Sequence, residues 1–171
     1  MSIFPTRILL ATDGSESATH ATQAAVELSK KTDSELHVLY VGEDGYSGAL
    51  VYPEATDPEG VGQEDPTLIE ELGRQFEQVA RQVLDAEVEK VRAVGGTVAE
   101  AYLRMGSPAA EVVDLAEELG VGLVVVGSRG LGGIRRALIG SVSDSVVRHA
   151  HCPVLVVRKE EPAQSHWQEN V

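Results

Sequence analysis

GSRGLGGIRRALIGSVS, residues 127–143, is the part of this sequence that says most about fold and ligand. It follows the apolar run 123–126, which is typical of a strand buried on both faces, and it ends at a Gly-Ser-Val-Ser step that can open a helix. Glycines after a strand let backbone N–H groups approach a ligand, and a helix N-terminus attracts negative charge. The segment therefore predicts a phosphate-binding site between a strand and a helix.

The charge of this segment is opposite to that of the whole chain. Residues 127–143 contain Arg129, Arg135 and Arg136 and no acid, whereas the 171-residue chain has 27 acids against 14 Lys and Arg and a net charge of −13. Arg129 is a candidate phosphate contact, although exposed arginines also occur as ordinary surface charges. The acidic balance argues against a nucleic-acid partner and against docking on an anionic membrane, because both need a basic surface.

Short apolar runs alternate with longer helical patterns along the chain. Strands are predicted at residues 7–12, 36–41, 97–103, 123–126 and 154–157, and helices at 15–31, 67–94, 107–120 and 140–149. The second helix is predicted from apolar residues between Ile69 and Ala86 at alternating spacings of three and four. This order predicts a single doubly wound α/β domain, with a Rossmann-like, five-stranded parallel sheet of order 3-2-1-4-5 and helices on both faces.

Ligands of doubly wound sheets bind beyond the carboxyl ends of the strands, where the winding reverses. With strand 1 beside strand 4, the crevice joins Ala11, Thr12 and Asp13 to residues 127–130. Asp13 has two interpretations. It can serve the Asp-Gly turn and cap the following helix, or it can contact a ligand through sugar hydroxyls or a shared divalent cation, since a bare carboxylate repels phosphates.

Outside the core pattern lie two polar segments. Residues 42–66 hold seven acids and no Lys or Arg, which is typical of a lid, a binding loop or a disordered segment, and residues 160–171 form a polar tail. We expect one nucleotide-binding domain over residues 1–159. A single cysteine excludes an internal disulfide framework, and no run resembles a signal peptide or a membrane span, so a cytoplasmic protein is expected.

Comparison with known phosphate-binding and metal-binding motifs limits the kinds of site that the sequence can form. The segment has no Gly-Lys-Ser/Thr ending and no compact GxGxxG entering a helix, so it is neither a Walker loop nor a dinucleotide fingerprint. The alternative is a flexible loop whose glycines serve turns alone. His149, His151 and Cys152 form one short cluster, whereas structural zinc sites use two spaced pairs, so no metal ligands are predicted.

The glycine spacing resembles that of a known family. Gly127, Gly130, Gly140 and Ser141 match Gly-x2-Gly-x9-Gly-Ser/Thr, the motif of the ATP-binding branch of the universal stress proteins. The similarity includes Ala11-Thr-Asp-Gly-Ser15, Gly106-Ser-Pro-Ala109 and the closing strand from His151 to Val157, so it covers residues 4–158.

This resemblance implies ATP (or ADP) in the crevice between strands 1 and 4, accompanied by Mg²⁺ or Mn²⁺. The residues implied are Asp13 at the adenosine, the backbone of Val41 at adenine, Val126 and Gly127 against ribose and base, the N–H groups of Gly130, Gly140, Ser141 and Val142 at the phosphates, and the hydroxyls of Ser141 and Ser143 beside them. Family members also pair strand 5, here Val154–Val157, across a two-fold axis, which implies a homodimer.

The expected function is that of a regulator in the stress response, which binds ATP and associates with an unidentified protein partner. Phosphoryl transfer needs a nucleophile, a held metal and cationic stabilisation, and Asp13 is the only carboxylate expected near the site, so we predict no catalytic residues and slow hydrolysis at most. Two alternatives stay open. They are a true but weak ATPase, and an interaction module of the same fold that binds no nucleotide.

Overall fold

The structure is a computed structural model that describes residues 3–42, 66–130 and 139–158. The interior of the acidic loop, the polar tail, Arg135 and Arg136 lie outside these residues, and so do the predictions made for them.

Nine elements follow one another along the described chain, and the sequence predicts each of them. The strands are β1 (Arg7–Thr12), β2 (Glu35–Gly42), β3 (Glu100–Met105), β4 (Leu123–Gly127) and β5 (Val154–Val157). The helices are α1 (Glu16–Thr32), α2 (Pro66–Ala93), α3 (Pro108–Leu119) and α4 (Ser141–His149). None of these helices combines the length and the apolar character that crossing a membrane requires.

The bounds of β3 differ from the predicted strand 97–103. Its pairing with β2 begins at His37 and Glu100 and continues to Gly42 and Met105. Before that point the chain forms the turn that follows α2. Gly95 has a left-handed backbone with φ of 77°, and Gly96 packs so closely on α1 that a Cβ would lie 2.6 Å from Val26. The strand therefore begins three residues later than predicted.

All five strands are parallel, in the order β3-β2-β1-β4-β5. The predicted α/β fold with sheet order 3-2-1-4-5 is confirmed. Ala11 of β1 pairs with Val126 of β4, so the two strands that flank the reversal of winding end side by side. The polar strand β3 lies at one edge of the sheet, as predicted, and β5 lies at the other.

Helices cover both faces of the sheet. On one face α1 and α2 pack on β1, β2 and β4, around Ile8, Leu10, Val38 and Val125. On the other face α3 and α4 pack on the alternate residues Leu9, Leu39, Val124 and Val126. Burial on both faces explains why the central strands are continuous apolar runs.

Helix α2 packs through a different face from the stripe that predicted it. Leu72, Phe76 and Val79, members of that stripe, are 44%, 47% and 59% exposed. Among the α2 side chains that the structure describes, the buried ones are Ala80, Leu84, Glu87, Val88 and Val91. The periodicity therefore identified the helix correctly but not the face that meets the sheet.

Candidate functional site

The turn from β1 into α1 is built by three consecutive residues, Asp13, Gly14 and Ser15. Gly14 has φ of 78°, a conformation that glycine adopts without strain. The Ser15 N–H donates to Asp13 Oδ1 at 2.9 Å, and the Ser15 hydroxyl oxygen accepts the N–H of Ala18 at 3.1 Å as the N-cap of α1. Ser15, and not Asp13, thus caps the helix, while Asp13 forms the turn that precedes it.

The carboxylate of Asp13 lies against the loop that follows β4. A Cβ placed on Gly130 would be 2.7 Å from Asp13 Oδ2, so a side chain there would displace the carboxylate. The structure therefore brings the ends of β1 and β4 together at Asp13 and Gly130, as the strand order predicts.

Gly127 has a packing role at the end of β4. A Cβ on Gly127 would lie 2.9 Å from the carbonyl carbon and hydroxyl of Ser17 and 3.0 Å from the backbone nitrogen of Ala18. Backbone atoms of a helix cannot move aside as a flexible side chain can. Glycine at this position therefore lets the first turn of α1 approach β4.

Hydroxyl groups of α1 hold the start of the glycine segment. The Ser17 hydroxyl accepts the Arg129 N–H at 3.3 Å and lies 3.4 Å from the Ser128 hydroxyl. The Ser15 hydroxyl donates to the Arg129 carbonyl at 3.3 Å. The backbone of Arg129 is thereby fixed to α1, while Arg129 itself is exposed.

Helix α4 begins beside this loop without a side-chain cap. Its N-cap is Gly140, whose own N–H donates to the Ser128 carbonyl at 2.7 Å. Ser141 and Val142 follow in the first turn and are exposed. Within the described ranges no acceptor meets the N–H groups of Ser141 and Val142, which the α-helical pattern leaves without a partner. These two groups and the helix dipole favour an anion here.

Ser143 is placed differently from the expectation that its hydroxyl assists phosphates. The residue is 6% exposed, and its hydroxyl donates to the Gly127 carbonyl at 2.6 Å. The third residue of α4 faces the sheet, so the hydroxyl connects the helix to β4. The N–H of Gly140 is likewise committed to Ser128 in this structure.

An apolar surface adjoins the polar part of the site. Ala11, Val41 and Val126 belong to three neighbouring strands and pack against the same core, on the α3–α4 face of the sheet. Val126 is buried, while Ala11 and Val41 are partly exposed. The side chain of Thr12 lies on the opposite face, so it is the one predicted strand-end residue that does not join this surface.

Glu87 is a residue of this region that sequence reasoning missed. It lies on α2 and is only 2% exposed. Its Oε2 accepts the Thr12 hydroxyl at 2.7 Å, and its Oε1 accepts a hydrogen bond from Lys90. The sequence did contain a signal, because Glu87 lies on the same helix face as Ala80, Leu84, Val88 and Val91. The apolar periodicity of α2 assigns a different stripe to the core and therefore does not single out Glu87.

The described residues offer no ready-made metal cage. In residues 3–42, 66–130 and 139–158 there is no group of three or more His, Cys, Asp or Glu side chains that could hold a metal ion. Asp13 supplies one carboxylate to the site. That fits a cation such as Mg²⁺, which is commonly held by one or two carboxylates together with phosphate oxygens.

Two open cavities of about 380 Å³ lie at the other end of the sheet. They share Arg7 and Glu35 in their walls. The Arg7 guanidinium donates to Glu35 Oε2 at 3.2 Å and to the Leu119 carbonyl at 2.8 Å, so these wall groups satisfy one another. The candidate site is at the strand ends and glycines and not at these cavities, because the N–H groups of Ser141 and Val142 meet no acceptor in the part of the chain that the structure describes.

Comparison with known proteins identifies the family of the chain. The model of the universal stress protein family matches residues 5–158. The chain belongs to the universal stress protein family. Universal stress protein YxiE of Bacillus subtilis is 36% identical over 158 residues, which cover 89% of this chain and 98% of YxiE.

Solved structures show the same fold. Universal stress protein UspA from Lactobacillus plantarum superposes with a TM-score of 0.71 at 25% identity, covering 91% of this chain and 99% of that one. A universal stress protein family member from Arabidopsis thaliana, solved with AMP bound, has a TM-score of 0.57 at 23% identity and covers 91% of this chain and 93% of its own.

Proposed function

We propose that this universal stress protein binds ATP or ADP at the carboxyl ends of β1 and β4. The observation that carries the proposal is the N-cap of α4. Gly140 has φ of −72° and ψ of 159°, which any residue adopts, and a Cβ there would meet its nearest described neighbours at an ordinary 3.5 Å. Among residues 3–42, 66–130 and 139–158, packing thus gives no reason for a glycine at this position. Close approach of a phosphate to the helix start explains it.

The phosphates lie over the first turn of α4 in this proposal. The N–H groups of Ser141 and Val142 and the exposed Ser141 hydroxyl are the donors, together with the backbone N–H of Gly130. Gly140 and Ser143 act indirectly. Their hydrogen bonds to Ser128 and Gly127 hold the helix start against β4.

The adenosine half of the ligand lies over the strand ends. Ala11, Val41 and Val126 provide an apolar edge against which a base can pack, next to Gly127. Asp13 Oδ2 lies beside Gly130, and in this proposal a ribose hydroxyl donates to it. The AMP bound to the Arabidopsis protein supports the proposal that this fold accommodates an adenine nucleotide.

A divalent cation, Mg²⁺ or Mn²⁺, accompanies the phosphates and offsets their charge. In this proposal Asp13 contacts the cation, directly or through water. Its Oδ1 already accepts the Ser15 N–H. Asp13 is the one carboxylate that we propose for the site, and phosphoryl transfer also needs a positioned nucleophile and cationic stabilisation. We therefore propose a regulatory switch with slow hydrolysis at most, and a weak ATPase as the alternative.

Association completes the proposed function. Strand β5 is a four-residue apolar strand at the edge of the sheet, and its residues are all partly exposed. An unpaired apolar edge favours pairing with another chain, so we propose a homodimer through Val154–Val157. Nucleotide binding then shifts the affinity for an as yet unidentified partner protein in the cytoplasm.

The experiment is to denature the purified protein, identify any released nucleotide by chromatography, and titrate ATP into the nucleotide-free protein by calorimetry. Gly140→Val should weaken ATP binding by about 100-fold, roughly 2.7 kcal/mol, because its side chain occupies the path of the phosphates. Gly73→Val is the matched control, since among the described residues no atom beyond the neighbouring helix backbone lies within 4 Å of a Cβ at Gly73. A wild type that releases no nucleotide and gives no binding heat would support the interaction module that binds none.

A further inference from the structure

We infer that Glu87 of α2 is a positioning residue for the nucleotide site, since it holds the turn that presents Asp13. The expected effect of Glu87 on ATP binding rests on the proposed function. The structural part of the inference concerns the turn alone and is tested without a ligand.

The environment of Glu87 is unusual for a carboxylate. Its side chain is 3% exposed and lies on the face of α2 that also buries Leu84, Val88 and Val91. Removing a charge from water costs several kcal/mol, and well-packed apolar residues often replace such a group without loss of stability. Packing alone therefore does not explain a glutamate here, and its specific partners do.

One of those partners is the last residue of β1. The Thr12 hydroxyl donates to Glu87 Oε2 at 2.7 Å and accepts the Gly14 N–H at 3.3 Å. A hydroxyl has a single proton, so the donation to Glu87 turns a lone pair of the Thr12 oxygen toward Gly14. Glu87 thereby sets the orientation of the hydroxyl that receives the backbone of the turn.

The carboxylate also packs directly against the turn. A Cβ on Gly14 would lie 3.6 Å from Glu87 Oε1 and 3.9 Å from Val83. Helix α2 thus packs against Gly14, the residue between Asp13 and Ser15, while Asp13 Oδ1 accepts the Ser15 N–H. Hydrogen bonds connect Glu87 to Thr12 and Thr12 to Gly14, and Gly14 is the chain neighbour of both Asp13 and Ser15, which are joined by the third bond of the turn.

Lys90 completes the arrangement. Its ammonium group donates to Glu87 Oε1, and its side chain is 42% exposed, so it can turn to solvent when its partner is removed. Replacing Glu87 by leucine therefore leaves no buried unpaired charge. We therefore expect the Glu87→Leu variant to fold, so that its hydrogen exchange and ATP affinity can be compared with those of the wild type.

The first arm measures amide hydrogen exchange of Gly14 and Ser15 by NMR in the protein without nucleotide. Glu87→Leu and Thr12→Val should each speed this exchange by about fivefold or more, because local protection depends on the bonds that are lost. Glu87→Gln and Thr12→Ser keep an acceptor and a hydroxyl and should restore the wild-type rates. Glu89→Leu is the matched control, since Glu89 is 66% exposed and pairs with Arg92 on the same helix.

The second arm measures ATP affinity of the same variants. Glu87→Leu and Thr12→Val should weaken binding about tenfold at an unchanged melting temperature, and the conservative variants should bind within about threefold of wild type. Unchanged exchange, or normal ATP affinity in Glu87→Leu, would overturn the inference. A wild type that does not bind ATP would instead refute the proposed function, and the exchange arm would still decide whether Glu87 holds the turn.

Discussion

The two ends of the sheet differ in the residues that form their surfaces. At the amino end, long side chains close the surface, as Arg7 does with Glu35 and Leu119, and the Ser34 hydroxyl accepts the Thr6 N–H at 3.1 Å. At the carboxyl end, Gly130 and Gly140 leave the backbone uncovered, and short hydroxyl side chains hold the loops in place. At the amino end, Arg7 and the Thr6 N–H are thus paired within the protein, whereas the carboxyl end presents the N–H groups of Ser141 and Val142 to solvent.

Chain direction explains this difference. Each helix runs antiparallel to the strands, so helix N-termini gather at the carboxyl ends and helix C-termini at the amino ends. Helices α1 and α3 end at the amino end in left-handed caps, Asp33 with φ of 52° and Gly120 with φ of 59°. Carbonyl groups dominate there, and N–H groups dominate at Ser141 and Val142. An anionic ligand is therefore favoured at the carboxyl end.

The largest expected effects are those of alanine substitutions at two glycines of the carboxyl end, one of which should affect stability and the other ATP binding. Gly127→Ala should lower the free energy of unfolding by about 1–3 kcal/mol, because its Cβ meets the Ser17 backbone at 2.9 Å. Gly140→Ala should leave stability within about 0.5 kcal/mol of wild type and weaken ATP binding about tenfold. Urea denaturation and calorimetry measure the two effects. Equal stability losses in both variants would show that Gly140 is structural as well.

A second pair of variants tests whether Asp13 and Gly130 act together. Asp13→Ala should weaken ATP binding about tenfold, and Gly130→Ala should do so to a similar extent because its Cβ displaces Asp13 Oδ2, 2.7 Å away. The double variant should lose little more than either single variant, since residues in contact are not additive. Fully additive losses in calorimetry would mean that the two residues contact the ligand independently.

At the amino end a substitution should stabilise the protein. His37 of β2 is 6% exposed, and neither ring nitrogen has a hydrogen-bond partner among the described residues. His37→Leu removes this unsatisfied group and should raise the free energy of unfolding by about 1 kcal/mol, or the melting temperature by roughly 2–4 °C. Thermal unfolding checks the gain. Any change in ATP affinity would contradict the separation of the two ends.

The smallest expected effect concerns Cys152, just before β5. Burial raises the pKa of the Cys152 thiol, so less of the reactive thiolate forms in the folded protein. Folding favours the neutral thiol, and this contribution to stability is present below the unfolded pKa and is lost as the pH rises above it. Alkylation at pH 8 should be several-fold slower in the native than in the unfolded protein. ATP should leave the native rate unchanged.

The sequence predicted the sheet correctly, and it predicted that the ends of β1 and β4 meet, because both depend on local signals. The ligand of that edge stays a prediction. Apolar runs such as 123–126 identify buried strands, and a glycine spacing can be recognised in the sequence without knowledge of the surrounding contacts. The roles of Ser143 and Thr12 could not be predicted in this way. Each hydroxyl faces the interior, and its partner, Gly127 or Glu87, is 16 or 75 residues away along the chain.

Amide hydrogen exchange of the wild type, compared with and without saturating ATP and Mg²⁺, tests most directly whether the carboxyl end is the nucleotide site. Protection should increase at Gly130, Ser141 and Val142, whose N–H groups are the proposed phosphate donors. The amides of Glu35 and Gly122 at the amino end, which donate to the carbonyls of Thr6 and Arg7, should exchange at unchanged rates. Protection confined to the amino end, or none at residues 127–130 and 139–143, would contradict the proposed site.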